Sequence, residues 1–173
     1  MRLIDAARCP YCARVRIALA EKGIDHEVTL VDLSDRPQWL RELNPPSGRV
    51  PVLDGLPESD VIMELLEDLH PQPALLPADP AGRAQARLQV HRFDANLGDD
   101  YYAYRRGDPN DLDARLEALA VGQSLFADIA YVPWVIRARE MLGVTLPQRV
   151  ADWLTDLERR PSVAAEVEIV RGL

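Results

Sequence analysis

Hydrophobic and polar positions in the N-terminal part of the chain alternate between strand-like and helix-like periods. Residues 2–5 and 27–32 predict strands, the second being β-branched and bounded by polar residues. Residues 10–22 between them carry apolar side chains on two sides, which is typical of a helix covered on both faces. Because the crossover between the two strands is long, the pattern predicts a parallel pair.

A second group of elements follows this strand–helix–strand unit. Residues 34–43 predict a short helix with Ser34 as its N-cap, and residues 50–53 predict a third strand. Pro51 has no N–H to give to a ladder, so the third strand is expected to start there or to lie at a sheet edge.

The third strand is followed by Asp54-Gly55, a strong signal for a two-residue hairpin turn. Only Leu56-Pro57 then remains for a return strand before a helix predicted at residues 58–69. Glu58 or Ser59 is a candidate cap for that helix, and the N–H groups of its first turn also suit an anion. The expected apolar face of the helix comprises Val61, Ile62, Leu65, Leu66 and Leu69.

The second half of the chain contains no convincing strand. A proline-rich stretch at residues 71–80 predicts a linker, which divides the chain into an α/β domain at 1–70 and an all-helical domain at 81–173. Glu166 is expected to be exposed on the last helix. The helices predicted in this domain span residues 81–97, 111–121, 126–142 and 149–159, with a short one from Pro161.

Composition and charge narrow the classes of function. No apolar run approaches the length of a membrane span, and a net charge of −8 argues against nucleic acid and anionic membranes as main partners. The chain has two cysteines and no signal-peptide pattern, which favours a reducing compartment, so we expect a cytoplasmic protein.

The candidate chemistry lies in Cys9-Pro10-Tyr11-Cys12, at the start of the first predicted helix. A cysteine at a helix N-terminus is stabilised as a thiolate by the helix dipole and by free backbone N–H groups. Cys9 is therefore the candidate nucleophile, and Cys12, one turn later, is close enough to resolve a disulfide formed there. Arg14 either favours the thiolate further or is an ordinary solvated side chain.

The cysteine pair has two other interpretations. One CxxC supplies half of a structural zinc site, and the three histidines, His26, His70 and His91, have no ligand spacing, so we expect no metal. Two inert buried cysteines are the second alternative. A CxxC beside a strand–helix–strand unit favours a reactive thiol on a thioredoxin-like scaffold.

These motifs, taken in order, resemble the glutathione transferase superfamily, specifically its cysteine-containing, glutaredoxin-like members of the omega and beta type. The resemblance covers nearly the whole chain and implies a thioredoxin-like α/β domain followed by an all-α domain. The residues that carry it are Cys9-Pro10-Tyr11-Cys12 with Arg14, Glu21-Lys22-Gly23-Ile24, Asn44-Pro45, Gly48-Arg49-Val50-Pro51-Val52-Leu53, Glu58-Ser59, and Ala127-Asp128-Ile129-Ala130.

The resemblance also implies roles for individual residues in binding glutathione. Cys9 would contact the glutathione sulfur and form a mixed disulfide with it. Pro51 would be cis, and the backbone of Val50 would pair with the cysteinyl part of the ligand. Glu58 and Ser59 would hold the γ-glutamyl end, with Ser59 and the helix N-terminus taking its carboxylate. By the same resemblance, Tyr11 is the aromatic member of the cysteine motif at the mouth of the site.

The chain departs from the family pattern at two places. Members usually have several more residues between Leu53 and Glu58, so the third and fourth strands are expected to form a shortened hairpin. In the helical domain, Leu125 stands where the family has a serine or threonine helix cap. Ser124, one residue earlier, is the candidate cap of a helix with a shifted start.

We therefore expect a glutathione-dependent enzyme. A cysteine nucleophile favours thiol–disulfide exchange with a glutathionylated thiol over conjugation of glutathione to a small electrophile, although conjugation stays open. The alternatives are a non-catalytic binding or scaffold protein of the same fold, and a dithiol reductase that ignores glutathione and needs Cys12. The resemblance implies a homodimer.

Overall fold

The computed structural model describes all 173 residues, which form two compact units. The first unit is Met1–Ala74 together with Leu173, and the second is Leu75–Gly172. Within the proline-rich stretch, Leu75 and Leu76 are buried, and the Leu75 carbonyl accepts a hydrogen bond from the Phe126 N–H at 3.0 Å. The end of that stretch is thus packed into the second unit. No helix of the chain is both long and apolar enough to cross a membrane.

The first unit contains a four-stranded sheet in the order β2-β1-β3-β4. Strand β1 is parallel to β2 and antiparallel to β3, and β3 is antiparallel to β4. In the register, Leu3 lies opposite both Val28 and Leu53. The strands are β1 (Arg2–Asp5), β2 (Glu27–Leu30), β3 (Val52–Leu53) and β4 (Leu56–Pro57). The parallel pair and the shortened hairpin predicted from the sequence are both confirmed.

Three helices complete the first unit: α1 (Pro10–Glu21), α2 (Gln38–Leu43) and α3 (Ser59–Leu69). The predicted start of α2 at Ser34 is wrong. The N–H and hydroxyl of Ser34 donate to the Asp32 carboxylate at 2.8 and 2.7 Å, which closes a local turn instead of capping a helix. Pro37 occupies the N-cap position, and α2 begins one residue later.

Helix α3 buries a narrower face than the sequence pattern predicts. Val61 and Leu69 are 47% and 55% exposed, although both were expected on the apolar face. The fully buried positions are Ile62, Met63 and Leu66, which recur at one-turn spacing toward α1 and the sheet.

Six helices form the second unit: α4 (Pro80–His91), α5 (Asp99–Arg106), α6 (Leu112–Ala118), α7 (Leu125–Leu142), α8 (Gln148–Leu157) and α9 (Pro161–Arg171). The single helix predicted at 81–97 is divided: α4 ends at His91, and a π-helical turn at Asp94–Gly98 leads directly into α5. The Asp79 carboxylate caps α4 by accepting from the Gly82 N–H at 2.7 Å.

The start of α7 is capped from the shifted position that the sequence suggested. The Ser124 hydroxyl accepts a hydrogen bond from the Ala127 N–H at 3.2 Å. Oδ1 of Asp128 accepts from the Gly122 N–H at 2.9 Å and from the Trp153 indole N–H at 3.0 Å. Burial raises the pKa of the Asp128 carboxyl above its ordinary value, and these two hydrogen bonds oppose that effect.

The expectation that Glu166 is exposed is wrong. Its carboxylate is 1% exposed and lies 2.9 Å from the buried guanidinium of Arg137 on α7. A second N–H group of Arg137 donates to the Pro133 carbonyl at 3.0 Å. Pro133 and Arg137 are four residues apart, so the arginine donates to a carbonyl of its own helix. Its ion pair with Glu166 also joins α7 to α9.

Candidate functional site

The cysteine motif lies where β1 runs into α1. Cys9 is the N-cap residue of α1, with extended backbone angles, and Pro10 occupies the first helical position. The Cys9 N–H donates to the Ala6 carbonyl at 2.9 Å, and the Cys9 carbonyl accepts from the Ala13 N–H at 3.1 Å. The loop before the helix is thereby fixed, and the Cys9 thiol is held at the positive end of the helix.

Cys12 lies deeper than Cys9 and in a different environment. It is fully buried, whereas Cys9 retains 7% of its surface, and the two residues are thiols with no disulfide between them. Burial strongly raises the pKa of Cys12, and its hydrogen bond to the Cys9 sulfur raises that pKa further. Cys12 therefore holds its proton near neutral pH and directs it toward Cys9.

The loop before β3 faces the cysteine motif across a small apolar cluster. The Val50–Pro51 peptide is cis, as the resemblance implied. The Cys9 thiol donates a long hydrogen bond to the Val50 carbonyl, with sulfur and oxygen 3.7 Å apart. Both residues pack in a buried cluster with Cys12, against which the half-buried ring of Tyr11 rests. Residues far apart in sequence thus meet at the start of α1.

Glu58 and Ser59 follow the short hairpin at the start of α3. Glu58 has a φ of +72°, a left-handed value that is uncommon for a residue other than glycine. Glu58 occupies the N-cap position, but its side chain makes no capping hydrogen bond, so the candidate cap at Glu58 is wrong. Glu58 is exposed, whereas Ser59 is only 4% exposed and its hydroxyl oxygen accepts a hydrogen bond from Arg14 at 3.3 Å.

Arg14 connects these two parts of the first unit, a link that the sequence did not reveal. Its side chain is 4% exposed, so the solvated alternative is wrong. The guanidinium carbon lies 5.2 Å from the centre of the Tyr11 ring, within range of a cation–π interaction. The only sequence signal for burial was its position among Ala13, Val15 and the other apolar residues of α1.

Known proteins share both the sequence of the first unit and the overall fold. Residues 3–74 match the family of glutathione S-transferase N-terminal domains. The crystal structure of glutathione transferase Omega 1C from Trametes versicolor has the same fold, with a TM-score of 0.82 and 27% identity. That similarity covers 99% of this chain and 93% of the fungal one. Residues 3–74 therefore belong to the family of glutathione S-transferase N-terminal domains, and the whole chain has the glutathione transferase fold.

Curated relatives match part of this chain. Pyrimidodiazepine synthase of Drosophila melanogaster is 36% identical over 116 residues, which are 62% of this chain and 47% of the fly protein. Glutathione S-transferase omega-1 of Mus musculus is 34% identical over 98 residues, or 54% of this chain and 40% of the mouse protein. The matched region thus spans about half or less of these relatives.

The structure brings several of the predicted site residues together in the first unit. Cys9, Cys12 and Val50 share the buried cluster with Tyr11 at its edge, and Pro51 supplies the cis bend beside it. The start of α3 is joined to the cysteine-bearing helix by the hydrogen bond between Arg14 and Ser59.

Proposed function

We propose that this protein is a glutathione-dependent thiol transferase whose nucleophile is Cys9. The observation that carries the proposal is the position of Cys9: it is the N-cap of α1 and lies 3.7 Å from the carbonyl before a cis proline. The helix terminus favours a thiolate.

The reaction is a pair of thiol–disulfide exchanges. The Cys9 thiolate attacks the glutathione sulfur of a glutathionylated thiol, a Cys9–glutathione disulfide forms, and the other thiol leaves as its thiolate. A second glutathione thiolate then attacks the glutathione sulfur of the mixed disulfide, which releases oxidised glutathione and restores the Cys9 thiolate. No electrons are gained or lost beyond those exchanged between the sulfurs.

Cys12 could also resolve the mixed disulfide. Once deprotonated, its sulfur can attack the Cys9 sulfur, releasing glutathione and closing a Cys9–Cys12 disulfide that a further thiol must reduce. Burial raises the pKa of Cys12, so its thiolate is scarce near neutral pH. We therefore propose that release by a second glutathione is the faster route.

The proposed binding residues are those that the family resemblance implied. The backbone of Val50, beside cis Pro51, pairs with the cysteinyl part of glutathione, and Tyr11 lines the edge of the sulfur site. Glu58 and Ser59 hold the γ-glutamyl end, where the buried Ser59 hydroxyl and the first turn of α3 favour a carboxylate.

A cysteine at the reactive position supports thiol transfer over conjugation. A serine or tyrosine hydroxyl stabilises the glutathione thiolate for attack on an electrophile, whereas a cysteine sulfur itself attacks disulfides. We propose conjugation to small electrophiles as the weaker activity. The proposed setting is the cytoplasm, where glutathione keeps thiols reduced, and the proposed assembly is a homodimer, testable by light scattering after size exclusion.

Intact mass after incubation with oxidised glutathione tests the proposal. We expect one glutathione on the Cys12→Ser protein and none on the Cys9→Ser protein, with protection of Cys9 from alkylation in the adduct. The proposal would be contradicted if no form gained a glutathione adduct while Cys9 still reacted with a small alkylating reagent. That outcome would favour the non-catalytic binding protein of the same fold, and retention on immobilised glutathione would then test binding alone.

A further inference from the structure

The hydroxyl group of Ser59 has its hydrogen-bonding direction set by Arg14. A guanidinium has only donors and stays protonated in proteins. Since Arg14 donates to the Ser59 oxygen at 3.3 Å, that oxygen is an acceptor in this contact. The hydroxyl hydrogen must then point elsewhere, so Ser59 presents a donor to whatever lies at the start of α3.

The contact is buried and is made between two different helices. Arg14 and Ser59 are each 4% exposed, and they are separated by 45 positions in the sequence. The guanidinium carbon also lies 5.2 Å from the centre of the Tyr11 ring. A buried contact of this kind is not loosened by water as a surface contact would be, so Ser59 keeps one orientation.

We propose that Arg14 is a positioning residue that fixes the Ser59 hydroxyl as a hydrogen-bond donor for the γ-glutamyl carboxylate of glutathione. The inference rests on the proposed function, because it assigns the carboxylate to Ser59. Arg14 itself does not touch the ligand in this arrangement. It acts through Ser59, by occupying one of the two acceptor positions of the hydroxyl oxygen.

The preference of Ser59 for one kind of ligand group follows from the hydrogen-bonding role of its hydroxyl. A ligand that offers an acceptor to Ser59 is bound by the available O–H, whereas a ligand that offers only a donor can reach only the one lone pair that Arg14 leaves open. The site therefore selects a carboxylate over an amide nitrogen or an ammonium group at that place. Without Arg14, the Ser59 hydroxyl can rotate and accept, and this selection is lost.

Titration calorimetry with S-methylglutathione, which cannot form a disulfide, measures the effect of Arg14 on binding. The matched probe is γ-aminobutyryl-S-methylcysteinylglycine, which lacks only the γ-glutamyl carboxylate. Arg14→Met is expected to lower the affinity for S-methylglutathione about ten- to hundredfold, as for loss of one hydrogen bond to a charged group. The affinity for the decarboxylated probe should not change. Arg14→Lys, which keeps a donor-only cation, should recover part of the loss.

A double-mutant cycle separates positioning from general structural damage. If Arg14 acts through Ser59, the Arg14→Met/Ser59→Ala protein should bind S-methylglutathione no more weakly than the weaker single variant. Arg16→Lys, two positions along α1, keeps a cation beside Asp5 and is the control that should bind like the wild type. The rate at which iodoacetamide alkylates Cys9 should be the same in Arg14→Met and wild type.

The possible failures can be told apart. Wild type that binds neither probe overturns the proposed function and this inference together. Wild type that binds, with additive losses for Arg14→Met and Ser59→Ala, overturns the inference alone. A slower alkylation of Cys9 with unchanged binding also overturns it, and assigns the arginine to the thiolate instead. Should Arg14→Met fail to fold, the same comparisons with Arg14→Lys and Arg14→Gln decide the matter, since a glutamine side chain can accept as well as donate.

Discussion

Nζ of Lys22 lies 2.7 Å from Oε2 of Glu67, and both side chains are buried. The ammonium group also donates to the His70 carbonyl at 2.6 Å and to the Pro73 carbonyl at 3.0 Å. Its three donors are therefore matched by three acceptors, two of them at and beyond the end of α3. A buried charge is retained at low cost only when it is paired and hydrogen-bonded in this way.

Lys22 is the single lysine among 20 basic Lys and Arg residues of the chain. An amine-reactive N-hydroxysuccinimide ester should therefore leave Lys22 of the native protein unmodified, because its amine is shielded and hydrogen-bonded. Peptide mass spectrometry after brief labelling checks this. In denaturant the modification of Lys22 should appear, and its rate should follow the unfolding of the first unit. Rapid native labelling of Lys22 would contradict the described burial.

The Arg137–Glu166 pair predicts how the second unit responds to loss of one charge. Glu166→Ala should lower the free energy of unfolding by about 3–5 kcal/mol, because it leaves the buried guanidinium without its carboxylate. Chemical denaturation measures the change. The double replacement Arg137→Met/Glu166→Met should be less destabilising than the single one, since no unpaired charge remains. A single replacement that costs no more than an exposed pair, such as Arg106–Asp108, would contradict this account.

Asp128 predicts a pH-dependent difference between two variants. Because burial raises its pKa in the folded state, the folded protein holds this proton to a higher pH than the unfolded chain does. The stability that Asp128 contributes is thus present at low pH and is lost as pH rises through its ordinary and then its raised pKa. Asp128→Asn stays neutral, and its carbonyl oxygen can accept both hydrogen bonds that Oδ1 now accepts.

Urea denaturation of wild type and Asp128→Asn across the acid-to-neutral range measures this difference. The stability of the variant relative to wild type should increase with rising pH and then level off. Asp128→Ala is the comparison: it leaves the Gly122 and Trp153 donors unpaired, at about 1–3 kcal/mol each, at every pH. A difference between wild type and Asp128→Asn that stays flat with pH would show that the carboxyl titrates normally.

The features that the sequence predicted well are local ones. The Asp54-Gly55 turn, the shifted Ser124 cap and the position of Cys9 at the start of a helix each depend on a few neighbouring residues. The partners of Arg14 and Glu166 lie 45 and 29 positions away, so neither burial could be read from neighbouring residues. A charged residue within an apolar helical stretch gives no sign of whether its partner comes from another element.

Ser34 shows a different reason for a wrong prediction. Its type and place suit a helix N-cap, but Asp32 two residues earlier offers it a carboxylate, and the resulting turn delays the helix to Gln38. The resemblance implied a cis Val50–Pro51 peptide, whereas the proline alone left a strand start, a sheet edge and a cis bond open.

The two thiols should differ sharply in reactivity. Near pH 8.5, the ordinary range for a thiol pKa, iodoacetamide should alkylate Cys9 in the native protein and leave Cys12 unmodified, because burial raises the pKa of Cys12 and excludes the reagent. In Cys9→Ser the hydrogen bond to the Cys9 sulfur is removed, but the burial that dominates the shift remains. Cys12 should therefore stay unreactive in that variant until denaturant is added. Fast alkylation of Cys12 in native Cys9→Ser would show that the site opens readily and would favour the dithiol route through Cys12.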